Sequence, residues 1–170
     1  MKTRRNIEKL IDHTINEQYR ALVRMPAGAD VTIDEILRAV NADPKYSKHI
    51  AAISGGFWED EIIWGRFVKD GIAKALREAI GFRGTRKWES VPQPGKRARK
   101  WVPASNMLLY QVKRTAAAKV RAGASVMAEG RYLQQLAIEC EARGITDQQS
   151  ISSVYEDAAS AAVQWAKAAS

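Results

Sequence analysis

Residues 82–121, FRGTRKWESVPQPGKRARKWVPASNMLLYQVKRTAAAKVR, combine the strongest strand and turn signals of the chain with most of its charge. The stretch contains eleven basic residues and one acid, Glu89, so its net charge is +10 while that of the whole chain is +8. The remaining residues therefore sum to −2. Because phosphates are neutralised locally, basic charge confined to one segment indicates a polyanion-binding surface. The alternative is a solvated face that binds no partner.

Composition restricts the class of protein. The chain has 170 residues, of which 46% are hydrophobic, enough for one packed domain or a small domain with an appendage. The single cysteine, Cys140, excludes an internal disulfide and fits a reducing compartment. The N-terminus lacks the apolar run of a signal peptide, and no window reaches the roughly 18 apolar residues of a membrane span. We expect a soluble, cytoplasmic protein without a membrane partner, and the sequence pI near 9.7 makes nucleic acid the leading partner class.

Apolar residues recur at helical spacing through the first half of the chain. Two predicted helices carry start signals: Thr32 with Glu35 indicates a capping box, and Asp43 before Pro44 indicates an N-cap. A short edge strand is predicted at residues 31–33. The predicted helices cover residues 3–24, 33–41, 44–53 and 59–80.

The helix over residues 59–80 is predicted to have two faces. Arg66, Lys74 and Arg77 share one side with Asp70, and an apolar side opposite them extends to the end of the helix at residue 80. Taken alone, the charged side fits a solvated face with internal ion pairs. Gly81 is predicted to be the C-cap glycine.

The next segment predicts a β-hairpin. Residues 85–91 and 97–103 are extended and two-faced, and PQPGK between them carries turn chemistry. Pairing Trp88 with Trp101 forms a cross-strand aromatic pair. In that register Arg86 and Arg99 lie on the tryptophan face. Lys87 and Lys100 lie on the other face, with Lys96 and Arg97 at the tip. A tip without acids is poorly explained by stability, because like charges repel.

The order of these elements resembles a winged helix-turn-helix domain. The pieces ALREAIGFRGTRKW (75–88) and GKRARKWV (95–102) are similar to the recognition helix and wing of phage and plasmid replication or regulatory proteins, and the resemblance covers roughly residues 5–103. It implies that Arg66, Lys74 and Arg77 face DNA. It also implies that the wing residues Lys96, Arg97 and Arg99 reach the backbone or minor groove.

One feature departs from this family. Three acids, Glu59, Asp60 and Glu61, open the presumed recognition helix, where they suit the helix dipole but oppose phosphate. Either the contacting surface lies further along this helix, or the helix at 44–53 reads the groove. The second helix offers Lys45, Tyr46, Lys48 and His49.

The C-terminal third is predicted to be helical. Ser105 would cap a helix from about residue 106 past 120, and Thr146 or Asp147 would cap the last one. Gly123 and Gly130 would either interrupt the helical segment or allow close packing at their positions. A basic turn and Gly144 would end the middle segment. We expect a winged helix-turn-helix domain at 1–104 and a helical hairpin at 105–170 that packs on it or forms a homodimer.

Arg114 and Arg121 are seven residues apart and lie away from the apolar stripe of their helix. They extend the phosphate-contacting face or are simply solvated. The candidate DNA-contacting residues are Arg66, Lys74, Arg77, Arg83, Arg86, Lys87, Lys96, Arg97, Arg99, Lys100, Arg114 and Arg121.

No catalytic constellation is evident. The only histidines are His13 and His49, no Cys/His spacing fits a metal, and no glycine-rich loop precedes a helical lysine. We therefore predict a non-enzymatic duplex-DNA-binding protein without a metal or cofactor, a regulator of transcription or replication. Two alternatives are a phage-encoded factor that docks on a host protein through its basic face, and an RNA-binding protein.

Overall fold

A computed structural model describes residues 2–54, 58–92 and 99–168. This part of the chain is mainly helical with one small antiparallel sheet, which confirms the predicted fold class at that level. The elements are α1 (Lys2–Val23), α2 (Ile33–Ala42), α3 (Pro44–Ser54), α4 (Trp58–Glu78), β1 (Trp88–Val91), β2 (Lys100–Pro103), α5 (Leu109–Arg121), α6 (Ala124–Ala142) and α7 (Tyr155–Ala168).

The chain forms two compact units. The first unit comprises residues 1–21 and 31–79, and the second comprises 22–30 and 80–170. The hairpin therefore belongs with α5, α6 and α7, whereas the sequence prediction grouped it with the N-terminal helices.

The first unit is built on the predicted apolar stripes. Its fully buried residues include Ile7 on α1, Ile36 on α2 and Ile72 on α4. The Thr32 capping box is present, with the Thr32 hydroxyl accepting from the Glu35 amide at 3.2 Å. The Asp43 carboxylate likewise accepts from the amide of residue 45 at 2.7 Å. Of the predicted edge strand at 31–33, only Val31 makes a β-bridge, because α2 already begins at residue 33.

The end of α4 differs from the prediction. The helix stops at Glu78, and Ile80 is exposed, although the apolar pattern was predicted to continue to it. Gly81 is not a left-handed C-cap, since its φ is −109°. A Cβ there would lie 3.1 Å from the Lys87 Cα, so this glycine permits a close approach of two backbone segments.

The hairpin forms, with shorter strands and a different register. Trp88 is paired with Pro103, and Trp101 with Ser90, so the register is displaced by two residues from the predicted tryptophan pair. A displacement of two preserves the faces, and both indoles remain buried on one side. Apart from Pro92, the predicted turn lies outside the described residues, as do the tip residues Lys96 and Arg97.

The helices of the second unit begin later than predicted. Residues 104–106 form a 3₁₀ turn, and α5 starts at Leu109, where the Gln111 side chain accepts from the Leu108 amide at 2.9 Å; Ser105 is therefore not its cap. The final helix starts at Tyr155, because Thr146 instead closes a local turn with Gln149.

The two central glycines take different roles. Gly123 has φ +98° and separates α5 from α6. Gly130 allows close packing, since a Cβ there would lie 2.8 Å from the Val120 Cγ2. Gly144, with φ +82°, ends the helical segment as predicted. The core of this unit joins the hairpin to the helices through Val102, Val112, Leu136, Tyr155 and other apolar residues.

Candidate nucleic-acid interface

The charge excess belongs to the second unit. The sequence of this unit contains 15 basic and 8 acidic residues, a net charge of +7, while the first unit contains 12 and 11, a net charge of +1. The unit that includes α4 is therefore almost neutral, and the unit that includes the hairpin accounts for nearly all of the excess.

Some of the cations are neutralised within the second unit. Arg86 is paired with Glu129, and the Lys119 Nζ lies 2.7 Å from the Glu89 Oε2 and 3.0 Å from the Glu129 Oε2. We call Arg86, Glu89, Lys119 and Glu129 the charge quartet. It joins the first strand to α5 and α6. Arg86 was predicted to contact DNA, but in the structure it is paired with Glu129.

The two acids of the charge quartet differ in burial, and their pKa values shift in opposite directions. The Glu89 side chain is 5% exposed, and desolvation raises its pKa above the usual range although Lys119 opposes this. Desolvation also acts to raise the pKa of Glu129, but hydrogen bonds from Lys119 and Arg86 outweigh it and the pKa lies below its usual range. The quartet has no net charge.

Two further predicted contacts have acidic partners. The Lys100 Nζ lies 2.9 Å from the Asp30 Oδ2, and the Lys74 Nζ lies 4.0 Å from the Glu78 Oε2. Lys87 is half-buried next to the first strand. These side chains are less available to phosphate than the sequence indicated.

Four predicted contacts in the second unit are exposed arginines without an ion pair among the described residues: Arg83, Arg99, Arg114 and Arg121. Arg83 has φ +50°, a left-handed conformation that costs a non-glycine residue roughly 1 kcal/mol, and its guanidinium lies 5.5 Å from the centroid of the Phe82 ring. Arg121 donates to the Ala117 carbonyl at 3.1 Å.

Helix α5 presents one continuous exposed stripe, formed by Tyr110, Arg114, Ala117 and Arg121. The opposite side of the helix is buried through Val112 and neighbouring residues. The shared side predicted for Arg114 and Arg121 is thus confirmed, and these two residues are about 10 Å apart along the helix axis.

On the first unit, Arg66 and Arg77 are exposed on α4 and have no ion pair among the described residues. On α3, Lys45 and Lys48 are exposed, with Tyr46 and His49 half-buried. Both helices therefore offer exposed cations.

A small cavity of about 190 Å³ lies beside the arginine stripe. Its wall includes Asp30, Pro92, Leu108, Tyr110, Gln111 and Arg114. Of these residues, the sequence had predicted only Arg114 as a DNA contact. Three distant segments supply the cavity, so no local pattern could have revealed it.

Other kinds of site find no support in the described residues. No group of three or more His, Cys, Asp or Glu side chains in them is arranged to hold a metal ion. Cys140 is buried, and desolvation raises the pKa of its thiol to about 11, which suppresses its reactivity. No helix in the described part of the chain is long and apolar enough to cross a membrane.

Comparison with protein-family models, with curated proteins and with solved structures finds no match to this chain.

Proposed function

We propose that this chain is a non-enzymatic protein that binds duplex DNA through the basic surface of its second unit. The observation that carries the proposal is the set of exposed arginines, Arg83, Arg99, Arg114 and Arg121, on a unit whose net charge is +7. Ion pairing does not account for them, since none of them has an acidic partner among the described residues. Arg83 even occupies a backbone conformation that favours glycine.

The hairpin and α5 contribute exposed basic residues to one compact unit. The strand register, extended by one residue beyond the Val91–Lys100 pair, puts Pro92 opposite Arg99 at the turn end of the hairpin, and Pro92 and Arg114 border one cavity. Arg114 therefore lies near the end of the hairpin to which Arg99 belongs, and Arg121 follows two helical turns further along α5. A series of exposed cations of this kind neutralises phosphates and releases counterions.

The winged helix-turn-helix resemblance adds a second hypothesis to this proposal. In that family a helix enters the major groove and the wing flanks it, which would give Arg66 and Arg77 the role of base contacts. The hairpin here shares a compact unit with α5, and this favours α5 and the hairpin as the phosphate-contacting surface. A role as a phage or plasmid regulator remains part of the proposal.

The decisive experiment measures affinity for a mixed-sequence duplex as a function of salt. Each phosphate contact contributes a slope of about −0.9 in log affinity against log salt. The triple variant Arg99→Ala/Arg114→Ala/Arg121→Ala should reduce the slope by about 2.7, because three contacts are lost. A slope shallower than about −2 for the unaltered protein would contradict DNA binding through this surface.

A charge-matched control separates a local surface from net charge. The triple variant Arg131→Ala/Arg143→Ala/Lys167→Ala removes three positive charges from α6, its C-terminal turn and α7 in the same unit. Its slope should stay within about one of the unaltered protein. The double variant Arg66→Ala/Arg77→Ala tests the groove assignment, because loss of base contacts changes sequence preference and not only the salt slope.

A further inference from the structure

We propose that the cavity beside Arg114 is a pocket for a single unpaired nucleobase, so that the protein prefers DNA with an unstacked base over perfectly paired duplex. This inference rests on the proposed DNA binding and specifies its substrate. The cavity lies entirely within the second unit, between the segment after α1, the end of the first strand and the start of α5.

The size of the cavity restricts its occupant. Pockets for complete small ligands usually measure about 300–1,000 Å³, whereas this one measures about 190 Å³. It therefore suits one ring system that belongs to a larger ligand. Apolar surface from Pro92 and Leu108, together with the Tyr110 ring, suits a flat group of that kind.

The polar groups of the cavity supply both a donor and an acceptor. The Gln111 residue is 6% exposed, and its Oε1 is fixed by the Leu108 amide at 2.9 Å. Its Nε2 donates no hydrogen bond to the described residues, yet Gln111 lines the cavity. The Nε2 is not among the fully buried side-chain atoms that lack a partner, so it is open to solvent and can donate to a ligand in the cavity. Asp30, held by Lys100 at 2.9 Å, contributes acceptor oxygens. Base edges present this same mixture of acceptors and donors.

The positive charge at the mouth of the cavity favours a nucleotide, and not an uncharged aromatic group, as the occupant. Arg114 lines the cavity, is exposed, and has no acidic partner among the described residues. A guanidinium at this position would bind the phosphate attached to a base inside the pocket. Tyr110 lies one helical turn before Arg114 on the same stripe. One face of α5 can therefore stack on a base through Tyr110 and neutralise its phosphate through Arg114.

The experiment uses the full chain and two DNA hairpins of identical length, one with a single bulged 2-aminopurine and one with that base paired. We expect tighter binding of the bulged hairpin and quenching of 2-aminopurine fluorescence as the base stacks on Tyr110. Tyr110→Ala should weaken binding of the bulged hairpin by about 5- to 150-fold, the range for loss of one base stack, and so remove the preference over the paired hairpin. Tyr110→Phe is the matched control and should retain the preference.

A second variant tests the donor. Gln111→Glu keeps an oxygen for the Leu108 amide and replaces the free Nε2 with an acceptor, so it should lower the preference without unfolding the protein. Thermal unfolding of each variant verifies the fold. Equal, salt-dependent binding of both hairpins by the unaltered protein would overturn the pocket and leave DNA binding intact. Binding of neither hairpin would overturn both proposals, and a preference that survives Tyr110→Ala and Gln111→Glu would overturn the pocket.

Discussion

The charge quartet allows a sharp prediction about stability, made by replacing Lys119 with methionine. This change leaves the carboxylate of Glu89, whose side chain is 5% exposed, without the Nζ that lies 2.7 Å away. Breaking a buried pair by removing one partner costs about 3–5 kcal/mol, because the remaining charge is both desolvated and unpaired. Lys119 itself is 16% exposed, so solvent screens the pair only slightly. We expect Lys119→Met to lower the free energy of unfolding by roughly 3–5 kcal/mol at pH 7.

The double variant Lys119→Met/Glu89→Gln serves as the control for this prediction. It removes both charges, retains the Arg86–Glu129 pair and should recover most of the lost stability. Urea unfolding followed by fluorescence of the buried indoles is a suitable assay. With an m-value of about 2 kcal/mol/M, the single variant should shift the midpoint down by roughly 2 M. A shift below about 0.5 M, or a double variant as unstable as the single one, would refute the reasoning.

The pH dependence of the single variant has a definite sign. The folded-state pKa of Glu89 is raised above its usual value of 4.5, so the folded protein binds a proton more readily than the unfolded chain. The carboxyl therefore favours the folded state most at pH below 4.5, and its contribution falls as pH rises through the folded-state pKa. Loss of Lys119 should raise that pKa further, so the defect of Lys119→Met should shrink on acidification.

Two more predictions concern packing and reactivity. Gly130→Ala should destabilise the protein by about 1–3 kcal/mol, because its Cβ would lie 2.8 Å from the Val120 Cγ2 and 2.9 Å from the Val120 amide nitrogen. The helical control Gly65→Ala, with nothing within 4 Å of the new Cβ, should instead stabilise it by about 0.4–1 kcal/mol in the same thermal or urea unfolding assay. Cys140, with a pKa of about 11 and no exposed surface, should react with a thiol reagent at pH 8 only at the rate of unfolding and immediately in denaturant. Fast labelling of the native protein would contradict its burial.

Local chemistry explains where prediction from the sequence succeeded. The Thr32 capping box and the Asp43 cap each join groups two or three residues apart, and both are present. The stripe that buries Val68, Ile72 and Leu76 follows from the geometry of one helix. Ser105 and Thr146 were predicted to be N-caps without knowledge of their tertiary contacts. The helices α5 and α7 begin instead at Leu109 and Tyr155.

The sequence alone determined the amphipathic helices, the presence of a hairpin and the concentration of positive charge in one part of the chain, because each depends on neighbouring residues. Tertiary structure decided the strand register, the partners of Arg86 and Lys100, and the cavity beside Arg114. Each of these depends on segments that are distant in sequence and meet only in the folded protein. A carboxylate such as Glu129 neutralises an arginine 43 residues earlier through proximity in space, which spacing along the chain does not encode.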